Sequence, residues 1–157
     1  MIRPGTPEDA EAVARVHVQT WQAAYAHALP RDRLMALSVE HRAEMHRRRP
    51  PLVAEVDGAV VGFVAVGPTH DDNGDGELYA IYVHPDHWGT GVGRALIAAG
   101  EEHLRELGHR DVHLWVLDDN PRARRFYEAA GWSTDGTTRE IEIFGFELTE
   151  VRFRKRL

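Results

Sequence analysis

The segment from Tyr79 to Leu96 constrains the fold and the ligand of this chain more than any other. It has the pattern of an apolar strand, a turn interrupted by Pro85, and a glycine-rich entry into a helix. The backbone N–H groups at a helix N-terminus lack intrahelical partners and carry the positive end of the helix dipole. Glycine also lets an anion approach the backbone closely. The pattern therefore predicts a phosphate-bearing ligand where this strand meets its helix.

The glycines of this segment match neither of two common nucleotide-binding motifs. A dinucleotide fingerprint needs a glycine three positions after Gly91, where Arg94 stands. It also needs an acidic residue at the end of a second strand, about 20 positions further on, and this residue is missing. A P-loop needs Gly-Lys-Ser/Thr, which does not follow either. On this motif alone, an anion site and a simple tight turn both stay open.

Length and composition exclude several classes of protein. A chain of 157 residues favours a single domain over residues 1–157. The net charge of −6 argues against nucleic acid as the main partner, and the lack of cysteine excludes disulfides and thiolate metal sites. No apolar run reaches the roughly 20 residues that span a bilayer, and the first residues lack a signal-peptide pattern. We therefore expect a cytoplasmic protein with no membrane partner.

Hydrophobic periodicity and turn signals predict the element order β-α-α-β-β-β-α-β-α-β-β, and hence a mixed sheet covered by helices. Thr6-Pro7 begins the first helix, and Asp57-Gly58 joins two strands in a hairpin. The second helix is predicted over residues 38–49. Its tail contains the basic residues Arg42, His46, Arg47, Arg48 and Arg49, which are typical of a solvated helix end, with an anion site as the alternative.

The acidic loop from Asp71 to Gly76 fits only the first half of an EF-hand calcium loop. The twelfth position is Tyr82, where calcium binding requires a bidentate Glu, and the flanking segments have strand patterns. We therefore predict a solvated hairpin connection and no metal site.

A second motif places the chain in a family. The run from Asn120 to Trp132 resembles the N-x-x-A-x-x-F-Y-x-x-x-G-F/W motif of the GNAT N-acetyltransferase superfamily. The opening segment resembles the Q/R-x-x-G-x-G/A motif of the same superfamily, with Trp88 at a position that usually holds Gln or Arg. The two motifs occur in the family's order, and the chain is identified as a member of that superfamily over nearly its whole length.

The resemblance implies a GNAT fold of the α/β (α+β) class. Its central sheet is mixed and mostly antiparallel, with six to seven strands flanked by about four helices. It also implies transfer of an acetyl group from acetyl-coenzyme A to a primary amine, by direct attack in a ternary complex. A small-molecule acceptor is the main interpretation. A protein N-terminus or lysine as acceptor, and a coenzyme-binding module without turnover, are the alternatives.

The resemblance also assigns the coenzyme site. The strand residues are expected to pair their backbones with the pantetheine arm, and the glycine-rich turn is expected to hold the pyrophosphate. Asn120 is expected to cap its helix and to touch the coenzyme, while Arg94, Arg122 and Arg125 are candidates for the 3′-phosphate. The complete set is Ile81, Tyr82, Val83, Trp88, Gly89, Thr90, Gly91, Val92, Gly93, Arg94, Asn120, Arg125 and Tyr127.

The chemistry requires a base for the amine and an acid for the thiolate. An amine with a pKa near 10.4 is almost fully protonated at neutral pH, an obstacle of roughly 4–5 kcal/mol. Glu77 is the first candidate for the base, with His84 or a water relay as alternatives. The resemblance places the hydroxyl of Tyr127 near the coenzyme sulfur, where it can protonate the thiolate.

The resemblance implies an acceptor site between the first two helices and the central strands. Trp21 and Tyr25 are predicted to line it, with core packing as the other interpretation of these rings. Glu77, Tyr79 and the loop His70-Asp71-Asp72 are predicted to receive a cationic amine. Many members of the family form homodimers, but the sequence does not fix the assembly.

Overall fold

The computed structural model describes residues 1–157. Three helices occupy most of the N-terminal third, six strands and two helices follow, and two short 3-10 turns precede α1 and α4. In chain order the elements are β1 (Ile2–Pro4), α1 (Ala10–Ala24), α2 (Arg31–Met35), α3 (Val39–Arg48), β2 (Leu52–Val56), β3 (Ala59–Pro68), β4 (Gly76–Val83), α4 (Val92–Glu106), β5 (Asp111–Leu117), α5 (Pro121–Ala129), β6 (Ser133–Ile143) and β7 (Phe146–Arg156).

The seven strands form one sheet in the order β1-β2-β3-β4-β5-β7-β6. β2 pairs with β1 and β3 in antiparallel fashion, and β7 does so with β5 and β6. β4 and β5 are parallel, with Gly76 opposite Val112 and Glu77 opposite His113. The predicted mixed, mostly antiparallel sheet is therefore confirmed, with seven strands and five α-helices.

The chain divides into two compact units. The first comprises Met1–Ala65 and Ala80–Gly100, and the second comprises Val66–Tyr79 and Glu101–Leu157. The strands β3 and β4 each contribute residues to both units. The expectation of a single domain stays a prediction.

The core of the first unit follows from the apolar face of α1. Val13 and Val16 of this helix are buried with Val53 and Phe63 of the sheet. A smaller cluster joins Ala10 and Ala14 to Ala43 of α3, which is why α3 lies against α1. These helix residues recur at three- and four-residue spacing, as expected for one buried helix face.

The second unit has its own buried apolar residues, contributed by α4, β5, β7 and the segment after α5. Leu104, Leu114, Trp132 and Phe153 are all at most 2% exposed. No helix of either unit is long and apolar enough to cross a membrane.

Local sequence signals account for several boundaries. Asp57 and Gly58 have φ values of +51° and +80°, the left-handed pair that a two-residue hairpin requires, so the predicted hairpin is confirmed. The second predicted helix is present as α3. The short helix α2 was not predicted, since Pro30 gave only a break in the pattern and five residues carry no periodicity.

Candidate active site

The turn between β4 and α4 is built by two glycines in the left-handed region. Gly89 has φ +75° and Gly91 has φ +90°, and a Cβ atom at either position would meet nothing within 4 Å. Glycine is therefore required here by backbone conformation and not by crowding. α4 begins at Val92, so the N–H groups of its first turn lie directly after these glycines.

The side chains around this turn are used to hold it. His84 accepts a hydrogen bond at Nδ1 from the backbone N–H of Asp86, at 3.1 Å. Trp88 donates its indole N–H to the carbonyl of Val83, at 2.8 Å. Val83 is the last residue of β4, so the indole fastens the turn to the end of the strand. Arg94 lies exposed in the first turn of α4.

Asn120 begins α5 as predicted. Its side-chain oxygen accepts a hydrogen bond from the N–H of Ala123 at 3.1 Å, and Pro121 occupies the first helical position. On the same helix Tyr127 is buried, with its ring 5.4 Å from Phe126 and 6.2 Å from Phe153.

The two arginines predicted for the 3′-phosphate also lie on α5. Arg125 is exposed there. Burial lowers the pKa of Arg122 from its ordinary value.

Glu77 lies in a cluster of charged side chains around His113. It accepts a hydrogen bond from the hydroxyl of Thr69 at 2.7 Å, and its Oε1 lies 3.3 Å from Nε2 of His113. His113 is fully buried, and its Nδ1 lies 2.9 Å from Oδ2 of Asp75. The parallel register of β4 and β5 sets Glu77 directly opposite His113, which explains why these two side chains meet.

The acidic loop completes this cluster. Asp71 lies 3.1 Å from Nε2 of His113 and accepts the indole N–H of Trp115 at 3.1 Å. Arg154 pairs with Asp75 at 2.9 Å. The prediction of a solvated connection is wrong for Asp75, which is only 7% exposed, because the loop folds its acidic side chains onto the buried imidazole.

Three of these residues have the donor atoms of a possible metal site. One ligand atom each from Asp71, Glu77 and His113 lies within 4.8 Å of the others. The carboxylates already accept hydrogen bonds from Thr69 and Trp115, so neutral donors partly satisfy the cluster without an added cation. The expected absence of a metal stays a prediction, and no chemical step is assigned to one here.

The predicted acceptor residues Trp21 and Tyr25 stack on each other, with ring centroids 4.5 Å apart. Trp21 also donates its indole N–H to the hydroxyl of Tyr82 at 3.0 Å. The guanidinium of Arg42 lies over the Trp21 ring, 5.4 Å from its centroid. The structure therefore places Trp21 against the strand residue Tyr82 and stacks Tyr25 on Trp21. It also adds a cation that the sequence interpretation had assigned to a solvated helix end.

Two histidines lie in the same cluster of rings. Nδ1 of His17 is 3.2 Å from Nε2 of His46, and the His17 ring is 5.2 Å from the ring of Tyr82. Burial, reinforced by the charge of Arg42, lowers the pKa of His17 to about 3 and also lowers that of His46. Both imidazoles are therefore neutral at physiological pH.

Tyr79 occupies a different environment. Its hydroxyl donates to the carbonyl of Pro68, and its ring stacks on His70 with centroids 5.3 Å apart. The residue is 39% exposed. The predicted contact of Tyr79 and His70 with a cationic amine stays a prediction.

Four residues of these clusters were missed from the sequence as functional candidates: His17, His46, Asp75 and His113. For the histidines of α1 and α3 the sequence contained a signal of burial, namely a position on the apolar face of the helix. His46, for example, shares the helix face of Val39 and Ala43. His113 carried none, since its partner Asp75 is 38 residues away.

Comparison with known proteins agrees with this architecture. The model of the acetyltransferase (GNAT) family matches residues 11–132. The chain is 34% identical to the uncharacterized N-acetyltransferase YuaI of Bacillus subtilis, over 96% of this chain and 89% of that protein. It is also 34% identical to the mycothiol acetyltransferase of Kineococcus radiotolerans, over 94% of this chain but only 44% of that longer protein.

A solved structure shows the same fold. The PaiA N-acetyltransferase of Thermoplasma acidophilum, in complex with coenzyme A, superposes with a TM-score of 0.79 at 18% identity, over 100% of this chain and 98% of that one. At that identity the likeness concerns the fold alone. Together with the family match over most of the chain, the strand–glycine–helix turn and the Asn120-capped helix identify this chain as an N-acetyltransferase of the GNAT family.

Proposed function

We propose that this chain transfers the acetyl group of acetyl-coenzyme A to the primary amine of a small molecule, by direct attack within a ternary complex. The observation that carries the proposal is the β4–α4 turn, where Gly89 and Gly91 adopt left-handed φ values immediately before the N–H groups of a helix. Such a turn suits a pyrophosphate. Membership of the family supplies the acetyl group as the cargo.

In this proposal the backbone of Gly89 to Arg94 binds the pyrophosphate, and the backbone of Ile81 to Val83 pairs with the pantetheine arm. Trp88 is not expected to bind the pyrophosphate through its side chain, as a polar residue at this position could. Its indole N–H is already donated to the Val83 carbonyl, and indole has no second donor. We therefore assign Trp88 to fixing the turn, and assign the phosphate contacts to the backbone.

Glu77 is the proposed base. Its carboxylate is anchored by Thr69 and faces His113, so its orientation is fixed before any amine arrives. A fixed orientation favours proton transfer, because the base has to lie within hydrogen-bond reach of the amine. His84 is less suited to this task, since its Nδ1 lone pair already accepts the N–H of Asp86.

Tyr127 is the proposed acid. A phenol with a pKa near 10 can return a proton to a departing thiolate whose parent thiol has a pKa near 8.5. The ring is buried beside Phe126 and Phe153, which fixes the direction in which its hydroxyl points. Replacement by Phe removes the hydroxyl and leaves this packing in place.

Release of free thiol from acetyl-coenzyme A across a panel of small amines tests the proposal. We expect turnover with at least one amine, a loss of at least tenfold in kcat for Tyr127→Phe, and a similar loss for Glu77→Gln, with coenzyme affinity nearly unchanged in both. Glu142→Gln is the control, since Glu142 is an exposed carboxylate of β6. Tight coenzyme binding without turnover of any amine would favour the binding module, and turnover of peptide N-termini alone would favour a protein acceptor.

A further inference from the structure

Arg42 differs from the other cations of its helix. Arg47 and Arg48 point to solvent and pair with Glu44, at 3.2 Å and 3.4 Å. Arg42 is half-buried against the face of Trp21 and makes no ion pair with a carboxylate. Burial lowers its pKa from the ordinary value, and the phenol of Tyr82 opposes this effect only in part.

An unpaired cation in such surroundings is costly. A charge that leaves water needs a counter-ion or hydrogen bonds to compensate the lost hydration. The face of an indole ring supplies only part of this compensation. A guanidinium left without a partner beside aromatic rings is therefore suited to an anion that arrives with a ligand, because its planar fork can bind an oxyanion through two hydrogen bonds.

Arg42 carries the charge of this cluster of rings, because its titratable neighbours are neutral. His17 and His46 are neutral, since burial and the charge of Arg42 disfavour their protonated forms. Trp21 and Tyr25 present stacked rings, and the Trp21 indole N–H is donated to Tyr82. The surroundings of the cation are therefore apolar and aromatic, which suits a ligand with an apolar body and one anionic group.

We propose that Arg42 binds an anionic group, a carboxylate or a phosphate, of the amine acceptor, while the Trp21 and Tyr25 rings pack against its apolar part. This rests on the proposed function, since it assigns the acceptor of the same reaction. The acceptor class that it names is an amino acid or an amino phosphate, in place of a simple cationic amine.

Matched substrates test the assignment. Apolar α-amino acids are compared with their C-terminal amides, and phosphoethanolamine with ethanolamine. We expect kcat/KM to fall at least tenfold when the anionic group is removed. A larger loss in the amino-acid pair would identify a carboxylate as the preferred anionic group, and a larger loss in the phosphoethanolamine pair would identify a phosphate. The amine of an amino-acid amide is less basic than that of the free amino acid, so deprotonation favours the amide and cannot cause its loss.

Variants of α3 supply the controls. Arg42→Gln should raise the KM for the anionic acceptor at least tenfold and abolish the preference over the neutral analogue, with the KM for acetyl-coenzyme A unchanged. Arg42→Lys keeps the charge without the fork, and should retain part of the preference. Arg47→Gln should behave as the wild type. A changed KM for acetyl-coenzyme A in Arg42→Gln would assign Arg42 to the coenzyme and overturn the proposal.

A binding measurement separates this proposal from the proposed function. Calorimetry of the coenzyme A complex with the same amino acids and phosphoethanolamine needs no turnover. Binding that Arg42→Gln weakens at least tenfold supports the anion site even if no amine is acetylated. Binding of equal strength in the wild type and in a folded Arg42→Gln, or no binding of any anionic probe, overturns it even if neutral amines are acetylated.

Discussion

The buried histidine of α1 makes the stability of this protein depend on pH in a defined window. The pKa of His17 is about 3 in the folded chain, because burial and the charge of Arg42 oppose protonation, and an unfolded histidine has a pKa near 6.5. Between these values the unfolded state binds a proton that the folded state does not. The free energy of unfolding therefore falls as the pH falls from about 6.5 towards 3.

The size of the effect follows from the two pKa values. Each pH unit well inside the window costs about 1.4 kcal/mol per proton, so His17 alone removes about 2 kcal/mol between pH 7 and pH 5. His46 acts in the same direction, since burial also lowers its pKa. The hydrogen bond from Arg3 lowers the pKa of Asp9 to about 2. The stabilisation that this carboxylate contributes is therefore also lost in acid, but only below about pH 4. The interval from pH 7 to pH 5 therefore isolates the histidines from Asp9.

Urea unfolding of the wild type and of His17→Phe at half-unit steps from pH 7 to pH 5 measures this contribution. Phe keeps an aromatic ring among Trp21, Phe63 and Tyr82 but cannot titrate. Near pH 5 we expect the slope of the unfolding free energy against pH to be smaller in the variant by up to about 1.4 kcal/mol per unit. His41→Asn, an exposed site on α3, should keep the slope of the wild type. Equal slopes in the wild type and in His17→Phe would refute the argument.

Three further predictions concern the other clusters. Gly91→Ala should destabilise the protein by about 1–2 kcal/mol, because residue 91 has a left-handed φ, and should raise the KM for acetyl-coenzyme A. Gly74→Ala is the control: Gly74 has φ +75° in the acidic loop, so the variant should lose similar stability without a change in that KM. His113→Asn should lower the free energy of unfolding by about 2–3 kcal/mol in chemical denaturation, because three carboxylates then lose a buried partner. A loss below about 0.5 kcal/mol would show that the cluster does not stabilise the fold. Treatment with EDTA should leave the metal content near zero and the rate unchanged, and a loss of rate that a divalent cation restores would identify a metal at Asp71, Glu77 and His113.

Local signals allowed much of the fold to be predicted. Asp57-Gly58 specified a hairpin, and Asn120-Pro121 specified the first turn of α5, because each acts through the backbone conformation of adjacent residues. The element order predicted a mixed sheet, and the family resemblance added the mostly antiparallel pairing of its strands and the expectation that the glycine-rich turn binds the coenzyme.

The side-chain clusters could not be predicted in the same way. The meeting of Glu77 with His113 depends on the register of two parallel strands, which no local pattern encodes. Arg42 was assigned to solvent together with its basic neighbours, although the i, i+4 spacing from Arg42 to His46 places both near the buried helix face. The sequence interpretation identified the helix α3 and its basic tail, but not which of its cations lies near the buried face.

The measurement that tests the central claim most directly is a single turnover with acetyl-coenzyme A carrying an isotopically labelled acetyl group. Mass spectrometry follows the label in the amine product and in the intact protein. Direct attack in a ternary complex predicts that the label appears on the nitrogen of the amine, that one free coenzyme A forms per acetylated amine, and that the protein never carries it. Label on the protein before it reaches the amine, or coenzyme binding with no labelled amine from any acceptor class, would contradict the account.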